Sequence, residues 1–257
     1  MSDERPVRLH CFAHAGAGVS AFYGWGPRLG PGVETVPHLL PGRERRRSEP
    51  RLTRPADLLA DQLPHFTGEG GESGESGEAP YILYGHSLGA LVAYSVTRAL
   101  HEAGLPGPAL LVVGACPPPD ELSALADQCR AGDEELLRLL GEANALPARA
   151  RPGDFWHQVV LPVLRDDLVL AHELRTAARE PSTAGPLTVP VLAVAGADDP
   201  LAQPEAMAQW RAWTTGPFAV RTVPGDHFFL RGHDLPRLVG RAARVVRRLA
   251  PQPVGVR

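Results

Sequence analysis

A serine, an aspartate and a histidine stand in this chain at the places where nucleophilic acyl transfer would need them. Ser87 lies in Gly85-His86-Ser87-Leu88-Gly89-Ala90, between the apolar run Pro80-Tyr81-Ile82-Leu83-Tyr84 and a helix-compatible stretch from Ala90 to Leu100. A serine in such a G-x-S-x-G sits on a tight strand-to-helix turn that lifts its hydroxyl clear of the sheet edge. The two glycines are needed because neighbouring backbone passes too close for a Cβ. The amide of Leu88 falls at a helix N-terminus, where free N–H groups and the helix dipole favour an oxyanion. The pattern alone is loose, and its bland alternative is a chance glycine-serine turn; the strand before, the helix after and the partners downstream give it weight.

Those partners follow in the order serine, aspartate, histidine. Pro190-Val191-Leu192-Ala193-Val194-Ala195-Gly196 reads as a buried parallel strand with Asp198 and Asp199 at its carboxyl end. Phe218-Ala219-Val220-Arg221-Thr222-Val223 reads as the next strand, closed by Pro224-Gly225-Asp226-His227. Ligands of open α/β sheets meet the loops beyond the carboxyl strand ends, so Ser87, one aspartate and His227 are expected on one rim. A serine hydroxyl is a poor nucleophile near neutral pH. An imidazole must take its proton during attack and return it to the leaving group, and a carboxylate must hold that imidazole in the useful tautomer. Gly196 to Asp199 has the usual G-x-x-D spacing, so Asp199 is chosen over Asp198. Asp226 cannot easily reach the ring of its sequence neighbour and reads as a turn former. His233, in Arg231-Gly232-His233-Asp234, reads as a solvated loop residue.

A first strand, Val7 to Phe12, runs into the small-residue loop Ala13-His14-Ala15-Gly16-Ala17-Gly18 and then a helix. Small residues let a backbone amide face a substrate oxygen, so Ala15 is the expected second oxyanion donor, paired with Leu88. His14 reads as a residue that orders this loop, since His227 already fills the role of base.

The elements that must position these residues alternate between strand and helix patterns from Val7 to Leu249, which predicts one α/β domain over 1–257 with a mostly parallel sheet and helices on both faces. Two stretches interrupt the alternation. Thr67 to Ala79 is polar and glycine-rich and reads as a surface loop. From about 117 to 183 the patterns are helical, clearest over Asp133–Leu140 and Phe155–Ala178. An insertion at the carboxyl end of a strand hangs over the site, so it reads as a helical lid. Its Phe155, Trp156, Val159, Leu161, Val163, Leu164, Leu168 and Leu170 either line an acyl cavity or pack the lid to the core.

Composition fits a single enzyme domain: 257 residues, 44% hydrophobic, formal net charge −3. That charge argues against a dedicated nucleic-acid binder, and no apolar run approaches a membrane span. Met1 to Pro6 lacks the basic and then apolar regions of a secretory signal, and Cys11, Cys116 and Cys129 lack metal-like spacing. A cytoplasmic protein with reduced thiols and no metal is therefore expected. His10 and His14 have helical spacing but fall across a strand and loop, which makes a zinc reading weak. All the basic side chains are arginine, which GC-rich coding explains without a binding site.

The chain resembles the type II thioesterases that accompany modular polyketide and nonribosomal peptide synthases, a branch of the α/β-hydrolases. The resemblance covers nearly its whole length. It rests on Phe12-Ala13-His14-Ala15-Gly16, Leu40-Pro41-Gly42-Arg43-Glu44-Arg45-Arg46, Gly85 to Ala90, Leu161-Pro162-Val163-Leu164-Arg165-Asp166-Asp167, Gly196-Ala197-Asp198-Asp199-Pro200 and Gly225-Asp226-His227-Phe228-Phe229. It implies hydrolysis of acyl groups from the phosphopantetheine thiol of acyl or peptidyl carrier proteins, which clears stalled or misprimed modules. It also implies Ser87 as nucleophile, His227 as base, Asp199 as its orienter, Ala15 and Leu88 as oxyanion donors, and no cofactor. One departure stands out. Where relatives commonly carry a basic pair, this chain has Ala115-Cys116-Pro117-Pro118-Pro119, which puts a contact in doubt and suggests a stiffer lid hinge.

The same triad would serve a carboxylesterase, or an acyltransferase that passes the acyl group to an alcohol or amine. Carrier proteins of this kind are acidic around the pantetheine attachment site, as the resemblance implies. The run Arg43, Arg45, Arg46 and Arg47, after a second strand expected over Glu34–Leu39, is either a docking surface for them or a solvated cluster paired with Glu44 and Glu49.

Overall fold

The computed structural model describes residues 5–67, 80–121, 132–142 and 156–250; the side chains of Leu139, Glu142 and Trp156 lie outside the description. The glycine-rich stretch, apart from Thr67, and Phe155 also fall outside it.

Six parallel strands form one sheet. They are β1 (Val7–Phe12), β2 (Val33–Pro37), β3 (Tyr81–His86), β4 (Leu110–Gly114), β5 (Val191–Gly196) and β6 (Phe218–Val223), in the order β2-β1-β3-β4-β5-β6. Parallel strands require crossovers, and the helices that supply them cover both faces. Alternation along each strand divides the core. Phe12, Leu83, Leu111, Val113, Val191, Ala193 and Ala195 face one side. Val7, Leu9, Cys11, Ile82, Tyr84, Val112, Leu192 and Val194 face the other.

The helices are α1 (Gly26–Leu29), α2 (Pro55–Gln62), α3 (Leu88–Glu102), α4 (Asp133–Glu142), α5 (Leu161–Arg179), α6 (Pro204–Ala208) and α7 (Asp234–Leu249). Helix α3 buries most of its length in the first core, through Leu91, Val92, Tyr94, Val96 and Leu100, and α5 joins it through Leu170, Ala171 and Leu174. Helix α7 closes the second core with Leu235, Val239 and Ala243.

Several expected boundaries shift. The loop after β1 leads into a 3-10 turn, Val19–Phe22, rather than a full helix. Strand β2 ends at Pro37, two residues before the expected limit, because this edge strand is only half-buried and its pattern is weak. The helix expected over Phe155–Ala178 begins as a π-helical turn, Trp156–Val160, and becomes α-helical at Leu161. Pro162 stands in the first α-turn, where a missing N–H costs nothing, and it cannot supply the bond that a helix running through it would need.

Beneath the first core, His10 Nδ1 and His38 Nε2 share a hydrogen bond of 2.8 Å, with His38 stacked on Phe12 and Phe66. Burial, then nearby charge, lowers His10 to a pKa of about 4 and His38 to about 3. Unfolding returns both to about 6.5. Below that pH the unfolded chain binds more protons, so these groups' stabilising contribution is complete above pH 6.5 and falls as pH drops toward 4 and then 3. The melting temperature is expected to fall between pH 7 and pH 5, and the double variant His10→Leu/His38→Leu to show a shallower slope. Calorimetry across that range checks it; identical slopes would refute the assignment.

Candidate active site

The carboxyl ends of β3, β5 and β6 bring three distant side chains together. Ser87 follows β3 directly and has φ 55° and ψ −118°, a left-handed backbone that costs a non-glycine residue about 1–3 kcal/mol. The surroundings hold it there: Ser87 N–H donates to the Gly114 carbonyl at 2.8 Å, and Ala90 N–H to the Ser87 carbonyl at 2.9 Å. A Cβ at Gly85 would collide with the Gly89 carbonyl, and one at Gly89 with that of Phe12, so this turn accepts no side chain at either position.

His227 Nε2 lies 3.1 Å from Ser87 Oγ. On the other side of the ring, Nδ1 lies 3.1 and 3.0 Å from the two oxygens of Asp199. That carboxylate is itself fixed, because Asp199 Oδ1 accepts the amides of Leu201 at 2.9 Å and Ala202 at 3.2 Å. Asp199 is buried and Asp198 is exposed. Asp226 accepts the Phe228 amide at 2.8 Å, as a turn former does, and His233 is exposed.

Leu88 is the first residue of α3, so its amide has no acceptor within the helix. In the loop after β1, the Gly16 amide donates to Asp167 Oδ2 and the Ala17 amide to the His14 carbonyl. Ala15, immediately before them, packs against both the central core and a smaller cluster of Leu136, Leu140, Leu161, Leu164 and Leu168. The expected lining is thus divided. Leu161, Leu164 and Leu168 build this cluster, Leu170 belongs to the central core and Val159 is exposed.

Sequence reasoning passed over His86. Its ring is buried between two partners: Tyr84 Oη lies 2.7 Å from Nδ1, and Nε2 lies 2.7 Å from the backbone carbonyl of His227. A carbonyl only accepts, so Nε2 carries the proton and Nδ1 accepts from the Tyr84 hydroxyl. The chain Tyr84–His86–His227 therefore anchors the His227 loop from beneath. Burial holds His86 well below the ordinary histidine range, so it stays neutral. The signal available was a polar residue at the inner end of an otherwise apolar strand.

His14 meets His86 and Phe228 edge-on, and burial followed by the charges of His227 and Arg231 lowers it to about 3. Its Nδ1 has no hydrogen-bond partner among the described residues. It acts as a neutral packing group beside the loop.

The arginine run is not one surface. Arg43 is buried and forms a bidentate pair with Asp167, at 2.7 and 2.6 Å. Arg46 bridges Glu49 and Asp61. Arg45 and Arg47 remain exposed. The segment Ala115–Pro119 takes a cation from elsewhere: Arg175, on α5, reaches the carbonyls of Pro118 and Glu121 and the thiol of Cys116. Trp210 Nε1 donates to the Cys116 carbonyl at 2.7 Å, so the start of the insertion is clamped on two sides.

Residues 7–244 match the family model of the thioesterase domain. The chain belongs to the thioesterase family. It is 37% identical over 228 residues to the thioesterase PikA5 of Streptomyces venezuelae, spanning 87% of this chain and 75% of that protein. It is 34% identical over 230 residues to a probable cadicidin biosynthesis thioesterase of Streptomyces griseus, covering 88% of this chain and 59% of that one. Among solved structures, RedJ, a thioesterase from the prodiginine pathway of Streptomyces coelicolor, superposes with a TM-score of 0.80 and 35% identity, covering 92% of this chain and 90% of that one. The fold is accordingly that of the α/β-hydrolases, and the likeness to type II thioesterases read from the motifs agrees with these relatives. Among the described residues no helix of this thioesterase is long and apolar enough to cross a membrane, and no group of three or more His, Cys, Asp or Glu is arranged to hold a metal ion.

The anchoring of His227 gives the first functional test. Tyr84→Phe leaves the buried Nδ1 of His86 without a donor, which is expected to cost about 1–3 kcal/mol of stability. His86→Leu also frees the His227 carbonyl and is expected to lower kcat at least tenfold. Thermal melts and steady-state kinetics on the two variants read both effects.

Proposed function

We propose that this thioesterase hydrolyses acyl groups from the phosphopantetheine thiol of acyl or peptidyl carrier proteins, clearing stalled or misprimed synthase modules. The observation that carries the reading is the continuous hydrogen-bonded line from Ser87 Oγ through both ring nitrogens of His227 to Asp199. The family supplies the thioester, and the named pathways of the relatives suggest the carrier.

In the proposed mechanism, Ser87 Oγ attacks the thioester carbonyl as His227 Nε2 takes its proton. The tetrahedral oxyanion forms against the amides of Ala15 and Leu88. Collapse expels the pantetheine thiolate, which leaves with the proton from His227, and the acyl group remains on Ser87. Water, deprotonated by His227, then attacks the acyl-serine; the acid departs and Ser87 regains its proton. Asp199 holds the ring with Nε2 toward the serine and stabilises the imidazolium. The whole chain acts as one domain, with the insertion over about 117–183 as its lid and the acyl chain lying under it.

Ser87→Ala is expected to abolish turnover with the fold intact, and a fluorophosphonate probe to label the native protein at Ser87 only. Turnover near the native rate in that variant would end the triad reading. Asp199→Asn is expected to lower kcat by orders of magnitude, because the amide favours the wrong tautomer, whereas exposed Asp198→Asn leaves it within a few-fold. Running acyl carrier proteins beside the matching free acyl-pantetheine thioesters separates carrier recognition from acyl choice. Neutralising the exposed Arg45 and Arg47 is expected to raise KM for the carrier protein, weaken its salt dependence and spare the free thioester.

A further inference from the structure

We infer that Asp167 and Arg43 are positioning residues that hold the oxyanion loop to the lid helix, so that the Ala15 amide is set by α5 as much as by the sheet. The inference rests on the reading of Ala15 as an oxyanion donor. It uses two motifs, Pro41-Gly42-Arg43 and Leu161 to Asp167, that the triad itself leaves without a task.

Three elements far apart in sequence meet at one carboxylate. Asp167, in the second turn of α5, is 1% exposed, and Arg43, after β2, is 8% exposed. Two Arg43 nitrogens hold the two carboxylate oxygens, at 2.7 and 2.6 Å. Asp167 Oδ2 also accepts the Gly16 amide at 2.7 Å, and Arg43 Nη1 donates to the Ala17 carbonyl at 3.0 Å. The loop is thus pinned at Gly16 by the anion and at Ala17 by the cation, directly beyond Ala15. Gly16 has φ +76°, a left-handed conformation suited to glycine, and a Cβ there would reach 3.4 Å from Leu164 Cβ, one turn before Asp167 on the same helix. Ala15 itself packs in the leucine cluster of α4 and α5.

A buried ion pair is weak evidence for stability, because desolvation offsets its attraction, but it is directional when both partners are also hydrogen-bonded. Here the direction matters. An oxyanion donor is effective only when preorganised toward the developing charge, and displacement by a fraction of an ångström weakens it in the transition state while substrate binding persists. Asp167 touches no reacting atom in this arrangement; it acts through Gly16 and Arg43.

The test uses the full chain with a short acyl-pantetheine thioester and an alkyl fluorophosphonate. In Asp167→Asn one amide oxygen faces the three N–H groups that now converge on a carboxylate. We expect kcat to fall about 10- to 100-fold, less than the about 100- to 1,000-fold of a deleted donor, since the amide is displaced and not removed. KM should stay within threefold, phosphonylation of Ser87 should slow in parallel, and in the Ser87→Ala background the Kd for the thioester should be unchanged. Arg43→Lys keeps the charge but cannot hold both oxygens, and it should show the same pattern to a smaller degree. Thermal melts identify folded variants; if Asp167→Asn does not fold, Arg43→Lys alone decides by these criteria. A folded variant with kcat within threefold of native, or with a raised KM and native kcat, overturns the inference. Failure of the proposed serine-hydrolase function looks different, because the native protein itself would then escape labelling at Ser87, whereas a wrong choice of Ala15 alone leaves native labelling intact and Asp167→Asn without effect on kcat.

Discussion

The structure turns on the backbone of one residue. Ser87 must adopt a positive φ to stand clear of β3, and nothing in its own side chain favours that state. The compensation is spread over the neighbours: the Gly114 carbonyl on β4 takes its amide, the start of α3 is braced by Ala90, and Gly85 and Gly89 let backbone pass where a Cβ would stop it. The buried strands β1, β3 and β4 form the frame that holds this strain. A sheet whose middle could shift would let the serine relax into an ordinary turn and lose its alignment with His227. The strongly apolar strands and the site are therefore one design, with core packing as the source of the energy held at the elbow.

Much of this was legible in the sequence, and the limits have physical causes. Buried parallel strands announce themselves as short apolar runs, and β1 and β6 have the bounds their residues predict. The edge strand β2 and the π-helical entry to α5 do not, because an edge strand buries only part of its pattern and a widened turn depends on how a proline is accommodated. At the site, the serine elbow and the choice between adjacent aspartates follow from spacing along a strand end, a local property. Arg43 and Asp167 lie 124 residues apart, and an arginine inside a charged run looks solvated until the fold brings its partner. His86 was hidden for the opposite reason: its partners are a strand neighbour's hydroxyl and a backbone carbonyl, and a carbonyl has no sequence signature.

The segment Ala115–Pro119 shows how a contact can be supplied from a distance. No basic side chain stands there, yet a guanidinium occupies the segment, delivered by Arg175 from α5. Its acceptors are carbonyls and a thiol, so the cation is held by dipoles at the beginning of the insertion while α5 returns the chain toward the sheet. With Arg43 gripping Asp167 two turns earlier, helix α5 is fastened at two levels to the body of the protein. Of the leucines that build the small cluster with α4, Leu161 and Leu164 precede both fastenings and Leu168 lies between them, and Arg165 ties this end of α5 to Asp133 at the start of α4.

Three imidazoles crowd the site, and their surroundings sort them. His86 has both nitrogens committed, one accepting from Tyr84 and one donating to the His227 carbonyl, and burial keeps it neutral. His14 is also held neutral, with a pKa of about 3, by burial and the nearby cationic groups. Among the described residues, neither is hydrogen-bonded to a carboxylate that would support a positive charge. His227 has Asp199 at 3.0 Å behind it and a hydroxyl at 3.1 Å in front. An imidazole that must accept a proton in the transition state needs a stabilised cation, and one that only positions its neighbours is better neutral, since a second charge a few ångströms away would oppose the first. The two neutral rings thus serve the third twice, by packing and anchoring its loop and by placing no second positive charge beside it.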